Sequence, residues 1–102
     1  MSGDAVARIV EGLKRYGALK VILFGSAARG DADAFSDLDF LVIAPSDRSF
    51  VERLGDVVKF IPRGSPPCDV LVYTPEEFSR MLDSGNTFVG RAVAEGKVLH
   101  EA

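Results

Sequence analysis

Phe24-Gly25-Ser26-Ala27-Ala28-Arg29-Gly30, followed after a short loop by Ser36-Asp37-Leu38-Asp39-Phe40-Leu41-Val42, is the stretch whose reading decides the fold. An apolar run from Val21 to Phe24 ends in a turn of small residues, and a second apolar run opens on two carboxylates spaced i, i+2. If both runs are strands, Leu38, Phe40 and Val42 share one face, while Asp37, Asp39, Leu41 and Ile43 share the other. Both acids then project to the same side, roughly 6–7 Å apart at Cα from the rise of ~3.3 Å per residue.

That arrangement has a chemistry. Carboxylate oxygens are hard donors that suit Mg²⁺, an ion that takes one or two protein carboxylates and completes its shell with water and phosphate oxygens. Gly25-Ser26 stands where a strand is expected to turn into a short helix through Ala27, Ala28 and Arg29. Backbone N–H groups and the Ser26 hydroxyl there favour an anion, and Gly25 lets the backbone approach it closely. A phosphate turn beside a metal-binding acid pair points to a nucleoside triphosphate site. A two-metal site needs a further acid from elsewhere, and Asp69, at the entry to another apolar run, is the candidate. In such a site Ser26 holds the β- and γ-phosphates, Asp37 and Asp39 hold the triphosphate-bound metal, and Asp69 activates a nucleophile. The reaction is nucleotidyl transfer, driven by positioning and charge neutralisation. Arg29 is either a phosphate contact or a structural ion pair.

Outward from this stretch, the spacing of Val6, Ile9, Val10 and Leu13 predicts a helix from Asp4, as its cap, to about Tyr16, stopped by Gly17. Ala18 to Phe24 reads as a buried strand. Gly30 to Ser36 reads as a loop whose Asp31 and Asp33 are loop acids. After Pro45, Asp47 is expected to start a helix with an apolar stripe of Phe50, Val51, Leu54, Val57, Val58 and Ile61. Pro62 to Pro67 must be a connection. Asp69 to Tyr73 predicts a third strand, and Thr74-Pro75-Glu76-Glu77 a helix start whose Phe78, Met81 and Leu82 face inward. Ser84-Gly85-Asn86 breaks the chain before a last helix with Phe88, Val89, Ala92 and Val93, and Lys97 to His100 predicts a closing strand. Phe88 and Val89 belong either to the core or to a surface shared with another subunit. Cys68 reads as a small buried hydrophobe and His100 as an exposed residue.

The 102 residues predict one domain spanning 1–102. With 47% hydrophobic and 26% charged residues, the chain is expected to be folded rather than disordered. Its formal net charge of −3 weighs against direct nucleic-acid binding, whose affinity comes from Lys and Arg on phosphates. One cysteine and one histidine exclude a disulfide framework and a Cys/His zinc cluster within the chain. No apolar stretch is long enough to span a bilayer, and the N-terminus lacks the pattern of a secretory signal, so a cytoplasmic location is expected.

The spacing Gly25-Ser26, then Asp37-Leu38-Asp39, resembles the signature of the DNA polymerase β-like nucleotidyltransferase superfamily. The fuller text Gly-Ser-Ala-Ala-Arg-Gly…Ser-Asp-Leu-Asp-Phe-Leu-Val resembles its minimal nucleotidyltransferase (MNT) branch, of the antitoxin type. The resemblance extends through Cys68-Asp69-Val70-Leu71-Val72 and Thr74-Pro75-Glu76-Glu77-Phe78. It implies an α/β (α+β) fold, a small mixed sheet backed by helices, and Mg²⁺-dependent transfer of NMP, with AMP from ATP the leading case. It further implies an antitoxin whose acceptor is a hydroxyl of a helical HEPN-type toxin. The additional helical domain by which larger relatives grip tRNA or an antibiotic is not expected here. Two alternatives stay open: a binding module that neutralises a helical partner with little catalysis, and transfer to a small molecule or RNA through a separate acceptor-binding subunit.

Overall fold

The alternation of side chains along the strands creates two apolar faces on one sheet, and helices cover both. The structure, a computed structural model, describes residues 2–25 and 38–102. Ser26, the helix expected at Ala27 to Arg29, the loop 30–36 and Asp37 lie outside the described residues. The described elements are α1 (Ser2–Tyr16), β1 (Lys20–Phe24), β2 (Leu38–Ile43), α2 (Phe50–Val58), β3 (Cys68–Tyr73), α3 (Pro75–Asp83), α4 (Thr87–Glu95) and β4 (Lys97–Glu101). The sheet order is β3-β2-β1-β4. β1 pairs antiparallel with β2 and β4, while β2 and β3 are parallel, so the sheet is mixed as expected. Parallel neighbours require a crossover, which α2 and the proline-rich connection behind it supply.

The parity of β2 follows the sequence. Leu38, Phe40 and Val42 join Val21, Leu23 and Val72 beneath Ile9, Val10 and Leu13 of α1 and Val57 of α2. On the other face Ile22 and Leu41, with Phe24, Leu71 and Tyr73 at their side, meet Ala92 of α4 and Phe78 of α3. Phe40 and Leu41, consecutive residues on opposite faces of β2, are both fully buried, as a central strand with two covered faces demands.

Several local expectations are corrected. Helix α1 begins at Ser2, so Asp4 stands in its first turn, where it complements the helix dipole rather than capping it. Helix α2 starts from Ser49, not Asp47. The Ser49 side chain accepts from the Glu52 N–H at 3.2 Å and the Glu52 carboxylate accepts from the Ser49 N–H at 3.0 Å, a reciprocal cap. The apolar stripe of α2 is narrower than expected: Val51 and Val58 are 75% and 60% exposed, and the inward position between Phe50 and Val57 is taken by Arg53, 4% exposed. On α3, Phe78 and Met81 are half-buried and Leu82 is exposed, because that helix lies at the margin of the sheet. His100 is half-buried, paired in register with Val21. The Thr74 cap, the break at Gly85 and the strand β4 stand as expected. Among the described residues no helix is long and apolar enough to cross a membrane.

Gly12 marks a close approach of α1 to the chain behind α2, where an added Cβ would overlap the Phe60 carbonyl oxygen and lie 3.1 Å from its carbon. Alanine stabilises an exposed helix position by ~1 kcal/mol over glycine. Here the backbone cannot yield cheaply, and overpacking costs about 1–3 kcal/mol. Gly12→Ala is therefore expected to lower stability by about 1–2 kcal/mol in urea denaturation, the opposite sign to the propensity rule; a more stable variant would refute the close contact.

Candidate active site

The register of the sheet assembles the site. Phe24 pairs with Asp39 across β1 and β2, and Asp39 pairs with Asp69 across β2 and β3. Paired residues on adjacent strands project to the same face, about 4.8 Å apart between strands. The row Phe24, Asp39, Asp69 thus crosses three strands on the face that carries α3 and α4. Asp39 is half-buried and Asp69, on an edge strand, is exposed. Both line one cavity of about 530 Å³, which Phe24 and Phe88 border and to which Leu54 and Val58 of α2 add an apolar rim.

The turn after β1 is fitted to this row. Gly25 has φ +77°, a left-handed backbone that disfavours a side chain, and a Cβ built there would lie 2.5 Å from Asp39 Oδ2. The absent side chain is therefore the space in which the Asp39 carboxylate sits. The turn expected to hold phosphate and one acid expected to hold metal are in van der Waals contact. A second cavity, about 340 Å³, opens beside Gly25, walled by Thr87, Phe88, Arg91 and Glu95 of α4.

Of the residues singled out in the sequence, the structure brings together Gly25, Asp39 and Asp69. Ser26, Arg29 and Asp37 lie outside the described residues. The donor chemistry of the two described acids fits a divalent metal: two carboxylates in register on one sheet face offer hard oxygens to one small ion. Cys68, one residue before Asp69, turns to the opposite face and packs half-buried against the large core, as a small hydrophobe.

Sequence reasoning missed two groups. The wall on α4, Arg91 with Phe88, carried no motif, and only the packing of α4 against β1 places it beside Gly25. The second is the brace behind β3. Arg53 Nη1 and Nη2 donate to the two Glu77 carboxylate oxygens at 2.7 and 3.0 Å, Nη1 also donates to the Val72 carbonyl at 3.1 Å, and Nε donates to the Arg48 carbonyl at 2.9 Å. Glu77 also accepts from the Thr74 N–H at 2.9 Å, closing the cap of α3. The Arg53 hydrogen bonds, then the Thr74 N–H, hold the Glu77 carboxyl below its ordinary range. The brace ties α2, β3 and α3 together at the end of β3 away from Asp69. An arginine in the phase of an otherwise apolar helix face, with an acid at the third position of the next helix, is the signal that could have revealed it.

The chain matches the nucleotidyltransferase domain family over residues 6–100. It is 32% identical over 81 residues to a protein of Methanocaldococcus jannaschii whose name marks it as a candidate protein adenylyltransferase, covering 79% of this chain and 77% of that one. It also resembles the crystal structure of a candidate nucleotidyltransferase from Sulfolobus solfataricus, with 30% identity, a TM-score of 0.59, and 76% of this chain and 70% of that one covered.

Proposed function

Since the chain belongs to the nucleotidyltransferase domain family, we propose that it transfers a nucleoside monophosphate, AMP from ATP, to a hydroxyl of a partner protein. The observation that carries this reading is the row of Asp39 and Asp69 against the side-chain-free face of Gly25. The likeness to the Methanocaldococcus protein supports the protein-directed form. The resemblance to the MNT branch supports a helical HEPN-type toxin as acceptor, this chain being its cytoplasmic antitoxin.

Asp37, Asp39 and Asp69 would hold Mg²⁺, which supplies Lewis-acid polarisation of the α-phosphate and lowers the pKa of the attacking hydroxyl. In this reading Ser26 and the Gly25 backbone bind the β- and γ-phosphates, and Arg29 is either a further contact to them or a structural ion pair. Asp69, exposed at the edge of the sheet, meets the acceptor and takes its proton. The acceptor oxygen bonds to the α-phosphorus, the bond from that phosphorus to the bridging oxygen breaks, and pyrophosphate leaves. Asp39, half-buried against Gly25, keeps the geometry fixed during the displacement.

The test is to incubate the purified protein with Mg²⁺, each labelled NTP and the protein encoded beside it, then follow the label. Transfer from ATP to protein is expected, and it should be lost in Asp37→Asn, Asp39→Asn and Asp69→Asn. Absence of transfer to any acceptor, with neutralisation of the partner surviving these changes, would leave a binding module instead. Label on RNA or a small molecule would overturn the protein acceptor alone.

Gly25→Ala probes the contact between turn and acid. Alanine at a left-handed backbone costs roughly 1–2 kcal/mol, and the new methyl must displace the Asp39 carboxylate. A misplacement on the order of 1 Å reduces turnover by ~10²-fold. The variant is therefore expected to melt slightly lower and transfer far less; full activity would show that Asp39 need not sit against the turn.

A further inference from the structure

We infer that α4 forms the nucleotide-binding wall opposite the Gly25 turn, with Arg91 bonding the terminal phosphates and Phe88 stacking the base. This rests on the nucleotidyl-transfer reading and deepens it. The cavity beside the turn has Phe24 and Gly25 on one side and Thr87, Phe88, Arg91 and Glu95 on the other. A triphosphate delivered to Gly25 enters that space.

Charge selects Arg91. The described residues lining this cavity and the adjoining acidic one include three acids, Asp39, Asp69 and Glu95, and one cation, Arg91. The metal that Asp39 and Asp69 would hold serves the reacting phosphate; the remaining phosphate oxygens gain from a cation of their own, and a guanidinium fork matches them in both geometry and charge. Arg91 can move to meet it. Its side chain is 73% exposed, and its Nε stands 3.5 Å from Glu95 Oε2, a solvated i, i+4 pair that gives up little when exchanged for phosphate.

Phe88 supplies the second contact. Helix α4 buries Val89 and Ala92, yet Phe88 is 42% exposed and lines the cavity. Phe24 holds it edge-to-face, with centroids 5.4 Å apart and planes at 86°. A partly exposed ring anchored by a neighbouring ring and lying one helical turn from a cation offers a stacking surface to an aromatic base.

Isothermal titration of ATP and AMP, with Mg²⁺, into the full chain and its Arg91→Gln and Phe88→Ala variants tests the assignment. Arg91→Gln is expected to weaken ATP about tenfold or more, as loss of a charged hydrogen bond does, and AMP less than about twofold. Phe88→Ala should weaken both nucleotides alike, by about tenfold, with Phe88→Tyr restoring them because the ring is kept. If either first variant binds ATP as the wild type does, the wall is wrong while the transfer reading stands. If the folded wild type binds no NTP, the transfer reading itself fails and the wall with it. Equal weakening of ATP and AMP by Arg91→Gln would also overturn the assignment, because a phosphate contact beyond the first must spare AMP.

Discussion

Asp39→Asn is expected to reduce nucleotidyl transfer by on the order of 10²–10³-fold, the scale on which removing one preorganised electrostatic contact acts, while the chain keeps a cooperative melt. The amide retains the shape of the carboxylate and its approach to Gly25 but not its charge. Because the substitution changes charge but not side-chain size, the metal-free protein is expected to stay folded. A ligand that binds only the folded state raises its apparent stability by about 2.7 kcal/mol at a concentration a hundred times its Kd. MgATP should therefore raise the wild-type melting temperature and fail to raise that of Asp39→Asn. A variant that both melts higher with MgATP and transfers AMP would remove Asp39 from the site.

The second large effect lies away from the chemistry. Glu77→Ala leaves the buried Arg53 guanidinium, among the described residues, with the Val72 and Arg48 carbonyls and removes the carboxylate that accepts from the Thr74 N–H. Breaking one partner of a buried ion pair costs about 3–5 kcal/mol; because the Glu77 side chain is 32% exposed, the lower end applies. In a chain of 102 residues each kcal/mol shifts Tm by roughly 4–8 °C, so a fall of about 12–24 °C is expected. Replacing both residues, Arg53→Met with Glu77→Leu, should recover much of that loss because no charge is left stranded. The pH dependence has a definite sign. The Glu77 carboxyl is held below its ordinary 4.5 by Arg53 first and the Thr74 N–H second. Its stabilisation is thus complete above that ordinary value and disappears as pH falls through the lower folded value. The stability gap between wild type and Glu77→Ala should be constant from neutral pH down to about 5 and narrow below the ordinary glutamate range. A gap that widens with acid would contradict the brace.

Much of the fold was legible because its signals are local. Period-two alternation placed Leu38, Phe40 and Val42 on one face and Asp39 and Leu41 on the other, and the two-sided core keeps that division. Thr74-Pro75-Glu76-Glu77 announced a cap whose atoms all lie within one turn. Asp47 was the wrong start for α2 because a lone acid competes poorly with the reciprocal Ser49 and Glu52 cap two residues later. Arg53 was missed because its long arm lets a charge occupy an apolar phase when carbonyls and a carboxylate wait at the end, and those partners come from β3 and α3.

The site divides along the same line. The sequence by itself determined the types and local spacing of the groups: a side-chain-free turn after one strand, acids at the mouth of the next, and a further acid opening a third. Spacing along a strand is a property of backbone geometry and needs no partner. Only the tertiary structure decided that Asp69 stands in register with Asp39, that Gly25 lies against the Asp39 carboxylate, and that α4 brings Arg91 and Phe88 to the turn. Those juxtapositions depend on the pairing of β2 with β1 on one side and β3 on the other, and on the packing of α4 over β1. Burial of apolar surface drives all of them, and that driving force has no direction along the chain.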